Sequence, residues 1–320
     1  MFFLKRLFIF MFAVFLLFLF FGCAQIYSSG KLSIVCTIFP QYDWARQVLG
    51  DNADEVELGF LIDKKIDLHS YQPSVEHIAK ISSCDLFIYV GGESDKWVDD
   101  VLNESVNKDM IVINLLDVLG AAAKEEEIKE GMEAEQEDEI AYDEHVWLSL
   151  KNAKLFCRAI ADAICSLDSE NVEIYQANLE SYIAQLSDLD FRYQKAVDEA
   201  AVKTLLFCDR FPFRYLVDDY GLDYYAAFVG CSAETEAGFD TIVFLAEKAD
   251  ELNLKNILVT ESSDLSIAET VRDNSKDKDR PIFVLNAMQS VTLGEAQNGA
   301  SYLLLMESNL TVLTEALNSR

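Results

Sequence analysis

A chain of 320 residues sets a prior of about two domains. Its 26 Lys and Arg against 55 Asp and Glu give a formal net charge of −29, which argues against a nucleic-acid binder and against a polybasic face docked on anionic lipid. Hydrophobic content of 51% with only 4 Pro and 13 Gly excludes disordered and low-complexity classes and leaves an acidic globular protein.

Residues 1–23 begin with a short basic stretch, Lys5-Arg6, continue through an apolar run from Leu7 to Phe21, and end in Gly22-Cys23. The run has signal-peptide length and is short for a membrane span, which needs about 20 apolar residues. Its end resembles a bacterial lipobox, which implies lipidation at Cys23; the alternative is an uncleaved signal anchor. Either way the remainder is expected outside the cytoplasmic membrane, and the lipobox reading tethers it there by lipid.

Beyond this leader, Leu32 to Ile38 is short, apolar and β-branched, a buried strand. A helix over 42–49 closes at Gly50, and a strand runs through 55–62. Ser74 can cap a helix reaching Ile81. Strands at 85–90 and 110–115 complete a first α/β series, with strands and helices alternating as in parallel βαβ units. Lys124 to Glu144 carries eleven acidic residues against two Lys and reads as a solvated, loosely ordered loop, dispensable for folding. A helix follows over 151–168. The stretch from Glu170 to Ala200 holds neither Gly nor Pro, and Tyr175, Leu179, Tyr182, Ile183, Leu186 and Leu189 recur at three- and four-residue steps. A helix of about 30 residues spans about 45 Å, longer than one lobe, so it reads as a rigid strut. A second α/β series has strands at 204–208, 224–229, 256–260 and 281–285. Its helices lie at 213–220, 239–253, 266–274 and 300–317. The expected organisation is an N-terminal lobe over 31–168 with the acidic loop 124–144, a linking helix over 169–200, and a C-terminal lobe over 201–320.

Ligands of open α/β sheets bind beyond the carboxyl ends of the strands. The polar residues that follow strands are Asp63, Asp67, His69 and His145 in the first lobe. In the second they are Asp209, Arg210, Ser232, Glu234, Glu236, Glu261, Asp264 and Asn286. Of three His, His77 sits inside a helix beside Ile78 and Ile81 and reads as an ordinary surface or half-buried residue. His69 and His145 stand in loops beside carboxylates, a pattern that suits a metal site. No C-x-x-C pair occurs among the seven Cys, and Cys157 and Cys165, eight apart on one helix, are about 12 Å apart and read as small core residues.

At these residues the chain resembles the metal-specific solute-binding proteins of bacterial ABC importers. Asp67-Leu68-His69-Ser70-Tyr71-Gln72-Pro73-Ser74 is similar to the family's His-x-Tyr-x-Pro-Ser segment. Asp143-Glu144-His145-Val146-Trp147-Leu148-Ser149 is similar to its Asp-x-His-x-Trp-Leu segment, preceded by a charged insertion as in zinc-binding members. The resemblance extends through Asp219-Tyr220-Gly221-Leu222 to the last helix. It implies a metal-type periplasmic-binding-protein fold, two α/β lobes with mostly parallel sheets joined by one long rigid helix. It also implies capture of a divalent transition metal, zinc before manganese, in an inter-lobe cleft. The partners it implies are the permease and ATPase subunits of the importer.

Two of the family's four ligand positions carry over as His69 and His145, while the other two fall on Arg210 and Asn286. Arg cannot ligate a cation and Asn offers only a neutral carbonyl. Three explanations stay open. Asp209 swings in, joined by Glu261 or Glu234, to make a His₂-carboxylate site; Cys208 and Cys231 supply thiolate, or pair as a disulfide; or Arg210 binds an acid such as Glu261 or an anionic ligand, in a member diverged toward a non-metal ligand. The chain lacks a nucleophile elbow, a phosphate loop and an H-E-x-x-H motif, so a binding protein is expected rather than an enzyme; a metallohydrolase built on His69, His145 and Asp209 is the rival.

Overall fold

The computed structural model describes residues 30–63, 66, 68–133, 141–232 and 236–318. The segment 1–23 with Cys23, and likewise Glu234, lie outside the described residues. The apolar runs of the first half form β1 (Ser33–Cys36), β2 (Glu57–Phe60), β3 (Leu86–Tyr89) and β4 (Ile111–Asn114). All pairings are parallel, in the order β2-β1-β3-β4. Every residue of β3 is buried, as a central strand covered on both faces requires. Helices α1 (Phe39–Leu49), α2 (Val75–Ser83) and α3 (Trp97–Asn103) make the crossovers, and α4 (Leu115–Leu119) follows β4. Ser74 caps α2 by accepting from the His77 amide at 3.2 Å. The short helices α3 and α4 add to the elements expected from periodicity.

Two longer helices follow, α5 (Leu150–Leu167) and α6 (Val172–Asp198). The 27 residues of α6 make a rod about 40 Å long. Its buried stripe is Tyr175, Leu179, Tyr182, Ile183, Leu186, Leu189, Tyr193 and Val197. Near its start Asn178 donates to the carbonyl of Val48 in α1 at 3.0 Å. Near its end the Tyr193 hydroxyl donates to the carbonyl of Met306 at 2.7 Å. One helix thus touches elements of both halves of the chain.

The second half holds β5 (Thr204–Phe211), α7 (Arg214–Tyr220), β6 (Asp223–Val229), α8 (Phe239–Glu251) and β7 (Ile257–Thr260). It continues with α9 (Ser266–Asn274), β8 (Ile282–Leu285), α10 (Leu293–Gln297) and α11 (Tyr302–Asn318). Its sheet is parallel in the order β6-β5-β7-β8. The strand order of the first sheet is therefore repeated in the second, without a sequence repeat to announce it. β5 is longer than its apolar stretch suggests. It runs through Asp209 and Arg210 to Phe211, with a register shift between Phe207 and Arg210. Those two polar residues lie inside the sheet rather than beyond its end.

Residues 32–320 form one compact unit. A single hydrophobic core runs from Ile34 and Trp44 in the first half through Trp147 and Phe156 to Phe207, Leu258 and Met306 in the second. A smaller cluster, including Leu206, Cys208 and Leu245, fills the space between the second sheet and α8 and α9. The halves are also pinned by polar contacts beneath the strand ends. The Trp147 indole donates to the Ala287 carbonyl at 2.8 Å, the Tyr302 hydroxyl to the Trp147 carbonyl at 2.7 Å, and the Tyr302 amide to Asp43 at 2.9 Å.

Candidate metal centre

His69 sits in a single 3₁₀ turn, Leu68–Ser70, anchored by the burial of Leu68 and Tyr71 on either side. His145 ends the acidic segment and leads into the 3₁₀ turn Val146–Leu148, whose three side chains are all buried. The two imidazoles approach with Nε2 to Nε2 at 3.3 Å. Each is oriented from behind. His145 Nδ1 lies 3.0 Å from Asp143 Oδ1, and the same oxygen accepts the His145 amide at 2.8 Å. His69 Nδ1 lies 2.7 Å from the Ser94 hydroxyl and 3.4 Å from Glu144 Oε2. Glu144 in turn accepts the Ser94 amide at 2.8 Å. Burial alone would raise the Glu144 carboxyl, but the His69 ring and Ser94 outweigh it and hold it below the usual carboxylate range. Two consecutive acids therefore serve two different histidines. A ring whose Nδ1 donates to a carboxylate presents a lone pair at Nε2. Both lone pairs consequently face one small volume.

The third group is Cys231, in the turn after β6. His69, His145 and Cys231 each offer a ligand atom within 4.8 Å of the other two. Gly230 permits this approach: a Cβ there would stand 3.0 Å from His145 Nδ1 and 2.9 Å from the Phe211 carbonyl oxygen. Burial, together with the negative charges of Asp143, Glu126 and Glu144, pushes the Cys231 thiol well up. A fourth side chain, Gln289, closes the group, its Nε2 2.8 Å from His145 Nε2.

The remaining sequence candidates turn away from this volume and hold the loops around it. Asp209, inside β5, accepts the Thr260 hydroxyl at 2.6 Å, the Thr260 amide at 3.1 Å and the Arg210 amide at 2.8 Å. Glu261 accepts the amides of Ala287 and Gln289 at 2.7 and 3.1 Å and the Ser290 hydroxyl at 3.3 Å. Arg210 donates to the Ser232 carbonyl at 3.3 Å, bracing the loop of Cys231, so the expected pairing with Glu261 is replaced. Asn286 Oδ1 accepts the Met288 amide at 2.7 Å. Cys208 is buried in the core of β5, and the expected thiolate pair or disulfide with Cys231 does not form: both thiols are free. His77 is half-buried, 2.6 Å from the Tyr71 hydroxyl. Asp264 caps its own turn through Ser266. Cys231 carried a signal in the sequence, a cysteine after Gly at a strand end. Gln289 carried none.

The acidic segment corrects the expectation of a loosely ordered loop over its described parts. Residues 124–133 cross onto the second sheet, where the Glu133 amide donates to the Ala227 carbonyl at 2.9 Å beside β6. Glu126 accepts the Cys231 amide at 3.0 Å, Glu127 accepts the Tyr224 hydroxyl at 3.2 Å, and Lys129 pairs with Asp223. Thr241 donates to the Gly131 carbonyl at 3.1 Å. A small pocket lined by Glu126, Glu127, Asp143, Arg214 and Gly230 lies under this crossing.

A family model described as zinc-uptake complex component A, periplasmic (ZnuA), matches residues 34–316. The chain belongs to this family. Among curated members it is 31% identical over 289 residues to the zinc-binding lipoprotein AdcA of Streptococcus pneumoniae, covering 90% of this chain and 56% of that protein. It thus spans little more than half the length of that relative. It is 29% identical over 298 residues to the high-affinity zinc uptake system protein ZnuA of Bacillus subtilis, covering 91% and 89%. The family's fold is equally evident in solved structures. The crystal structure of the Zn(II)-bound ZnuA-like domain of S. pneumoniae AdcA superposes with a TM-score of 0.71 at 28% identity, covering 91% of this chain and all of that one. The metal-dependent lipoprotein YcdH of B. subtilis gives 0.72 at 27%, covering 90% and 100%. The family fold of two parallel-sheet α/β lobes is therefore this chain's fold.

Proposed function

We propose that this chain captures zinc outside the cytoplasmic membrane for an ABC importer, with His69, His145 and Cys231 as ligands. The observation that carries this reading is the pair of Nε2 atoms 3.3 Å apart, each belonging to a ring held at Nδ1 by a carboxylate or hydroxyl. Tetrahedral zinc with Zn–N bonds of about 2.05 Å spans about 3.3 Å between two nitrogens. Two facing lone pairs repel, and a cation between them removes that repulsion. Cys231 joins the pair, one ligand atom of each of the three residues lying within 4.8 Å of the others, and a sulfur about 3.6 Å from each nitrogen completes the third side of such a site. The names of the relatives support zinc as cargo. Imidazole with thiolate suits zinc better than manganese, which prefers oxygen donors.

Asp209 and Glu261 are replaced in this ligand set because their oxygens are committed to Thr260 and to the 286–290 loop. Capture is favoured over catalysis, since the carboxylates nearest the pair, Asp143 and Glu144, are engaged in orienting the rings. The working unit in this reading is the two lobes over 31–168 and 201–320 with the helix of 169–200 between them, tethered by lipid at Cys23. Its partners are a permease and an ATPase.

Calorimetric titration of zinc and of manganese into metal-free protein, with elemental analysis of the purified chain, tests the reading. One saturable zinc event per chain is expected, weakening as acid protonates the imidazoles. No saturable zinc heat would overturn it.

A further inference from the structure

We propose that Glu126 is a positioning residue for Cys231, and that the acidic segment carrying it sets where the sulfur stands relative to the His145 ring. The proposal rests on the zinc-capture reading for its consequence and deepens it by giving the acidic segment a role at that site. The two described ends of the segment pair antiparallel. The Asp143 amide donates to the Lys124 carbonyl at 2.9 Å, the Glu126 amide donates to the Ala141 carbonyl at 3.0 Å, and Glu125 bridges Tyr142 between them. One hydroxyl clamps this base. Tyr215 Oη accepts the Lys124 amide at 2.9 Å and donates to the Asp143 carbonyl at 3.1 Å. Tyr215 is a buried residue of α7, so the base is fixed to the second half of the chain.

From that base the two ends reach two ligands. The returning end delivers Asp143, whose Oδ1 faces the His145 ring and takes the His145 amide. The outgoing end delivers Glu126, whose Oε1 accepts the Cys231 amide at 3.0 Å. Alternation along an extended chain turns Glu126 inward, half-buried, while Glu125 and Glu127 are exposed. The turn of Cys231 has other ties, but they act on the next residue. The Ser232 amide donates to the Val229 carbonyl and Arg210 donates to the Ser232 carbonyl, each at 3.3 Å. The Glu126 bond is shorter, acts on the cysteine itself and has a carboxylate as acceptor, the stronger kind of hydrogen bond. The route from His145 to Cys231 therefore runs through one short paired ladder rather than across two sheets. A sulfur ligates only within a narrow distance of the metal, and groups that hold a ligand in place carry about 10- to 100-fold of metal affinity.

The test separates reach from charge. Glu126→Asp keeps the charge and shortens the reach, Glu126→Gln keeps the reach and loses the charge, and Glu126→Ala loses both. In chelator competition, zinc affinity is expected to fall about tenfold or more in the Ala variant and about three- to tenfold in the Asp variant, and to stay within about twofold in the Gln variant. The thiolate-to-metal band of the cobalt-substituted protein should weaken in the Ala and Asp variants and persist in the Gln variant. Hydrogen exchange at the Cys231 amide reads the bond without metal: it should quicken about tenfold in the Ala variant and stay near wild type in the Gln variant. A Gln variant that loses as much affinity as the Asp variant, or Cys231 exchange unchanged in the Ala variant, overturns the positioning role. If exchange responds as expected while wild-type protein takes up no zinc, Glu126 stands as the holder of this turn and the zinc reading falls.

Discussion

The two lobes repeat one strand order and use it differently. In the first, the strand-end loops present two buried or nearly buried imidazoles, each backed by an acid from the same short run, Asp143-Glu144. In the second, the strand-end acids are spent on scaffolding. Asp209 ties β5 to β7 through Thr260, and Glu261 ties β7 to the loop after β8. The groups that reach the imidazoles, Cys231 and Gln289, come from one turn beyond β6 and from a loop four residues past β8. The same topology thus supplies hard-wired donors on one side and loop-borne partners on the other. A strand end specifies a place for chemistry but not which of its polar residues performs it.

The contrast can be broken or sharpened by substitution. The largest effect is expected in the first lobe: His69→Ala or His145→Ala should weaken zinc binding by at least about 100-fold in competition titrations, roughly 2.7 kcal/mol or more, while His77→Ala leaves it near wild type. In the second lobe, Cys231→Ser should cost about 10- to 100-fold, comparable to loss of a supporting group at a metal site. It should also abolish the near-ultraviolet thiolate-to-metal band of the cobalt-substituted protein. Retention of that band would remove Cys231 from the ligand set. Asp209→Asn should act on stability instead. It weakens a charged acceptor of two Thr260 hydrogen bonds, lowering unfolding free energy by about 1–2 kcal/mol in urea titrations, with zinc affinity changed by less than about threefold. A sharp loss of affinity without destabilisation would make Asp209 a ligand after all.

The remaining effect concerns pH and leaves the imidazole pair aside. Asp95 is buried at the turn that also carries Ser94, and its carboxyl is pushed up from 3.8 to about 7, by burial first and by the charge of Glu144 among the lesser causes. Its Oδ2 accepts the amides of Val90 and Gly91, both at 3.0 Å. Because the folded-state value is raised, the native protein holds a proton that the unfolded chain has released. Stability from this group is present below about pH 4 and is lost as pH rises through about 7. Asp95→Asn should therefore stabilise the metal-free protein at pH 8 by on the order of 1–3 kcal/mol, with the gain gone near pH 4. A gain independent of pH would assign the effect to something other than ionisation.

Much of this molecule was legible in its sequence because burial writes itself as pattern. The eight strands among the described residues stand where short apolar runs stand, and α6 follows the stripe from Tyr175 to Leu189. The two His-bearing segments were distinctive because each histidine sits beside residues that orient it. Reading failed where polar residues do structural work inside regular elements. Asp209 and Arg210 look like a loop after Cys208, yet β5 continues through them across a register shift that no apolar period encodes. Gln289 had no signal because a neutral amide is common in loops, and its role depends on Glu261 and Asn286 holding the chain several residues around it. The acidic run from Glu125 to Glu133 departs from its expected looseness for a related reason. Its charge density resembles a solvated tail, but its backbone pairs beside β6 and its carboxylates have specific donors in the second lobe.

The unbroken interior beneath both sheets has a mechanical consequence. Binding proteins whose halves meet only at a flexible crossing can swing open like a shell. Here Trp147, Tyr302 and the rod α6 stitch the halves under the site, so prying them apart would mean tearing core packing. In the zinc-capture reading, the compliance needed for entry and exit therefore resides at the rim, in a few side chains and the loops that carry them. Whatever extracts the cargo has only to loosen a clasp, and heat should melt both halves in one cooperative step.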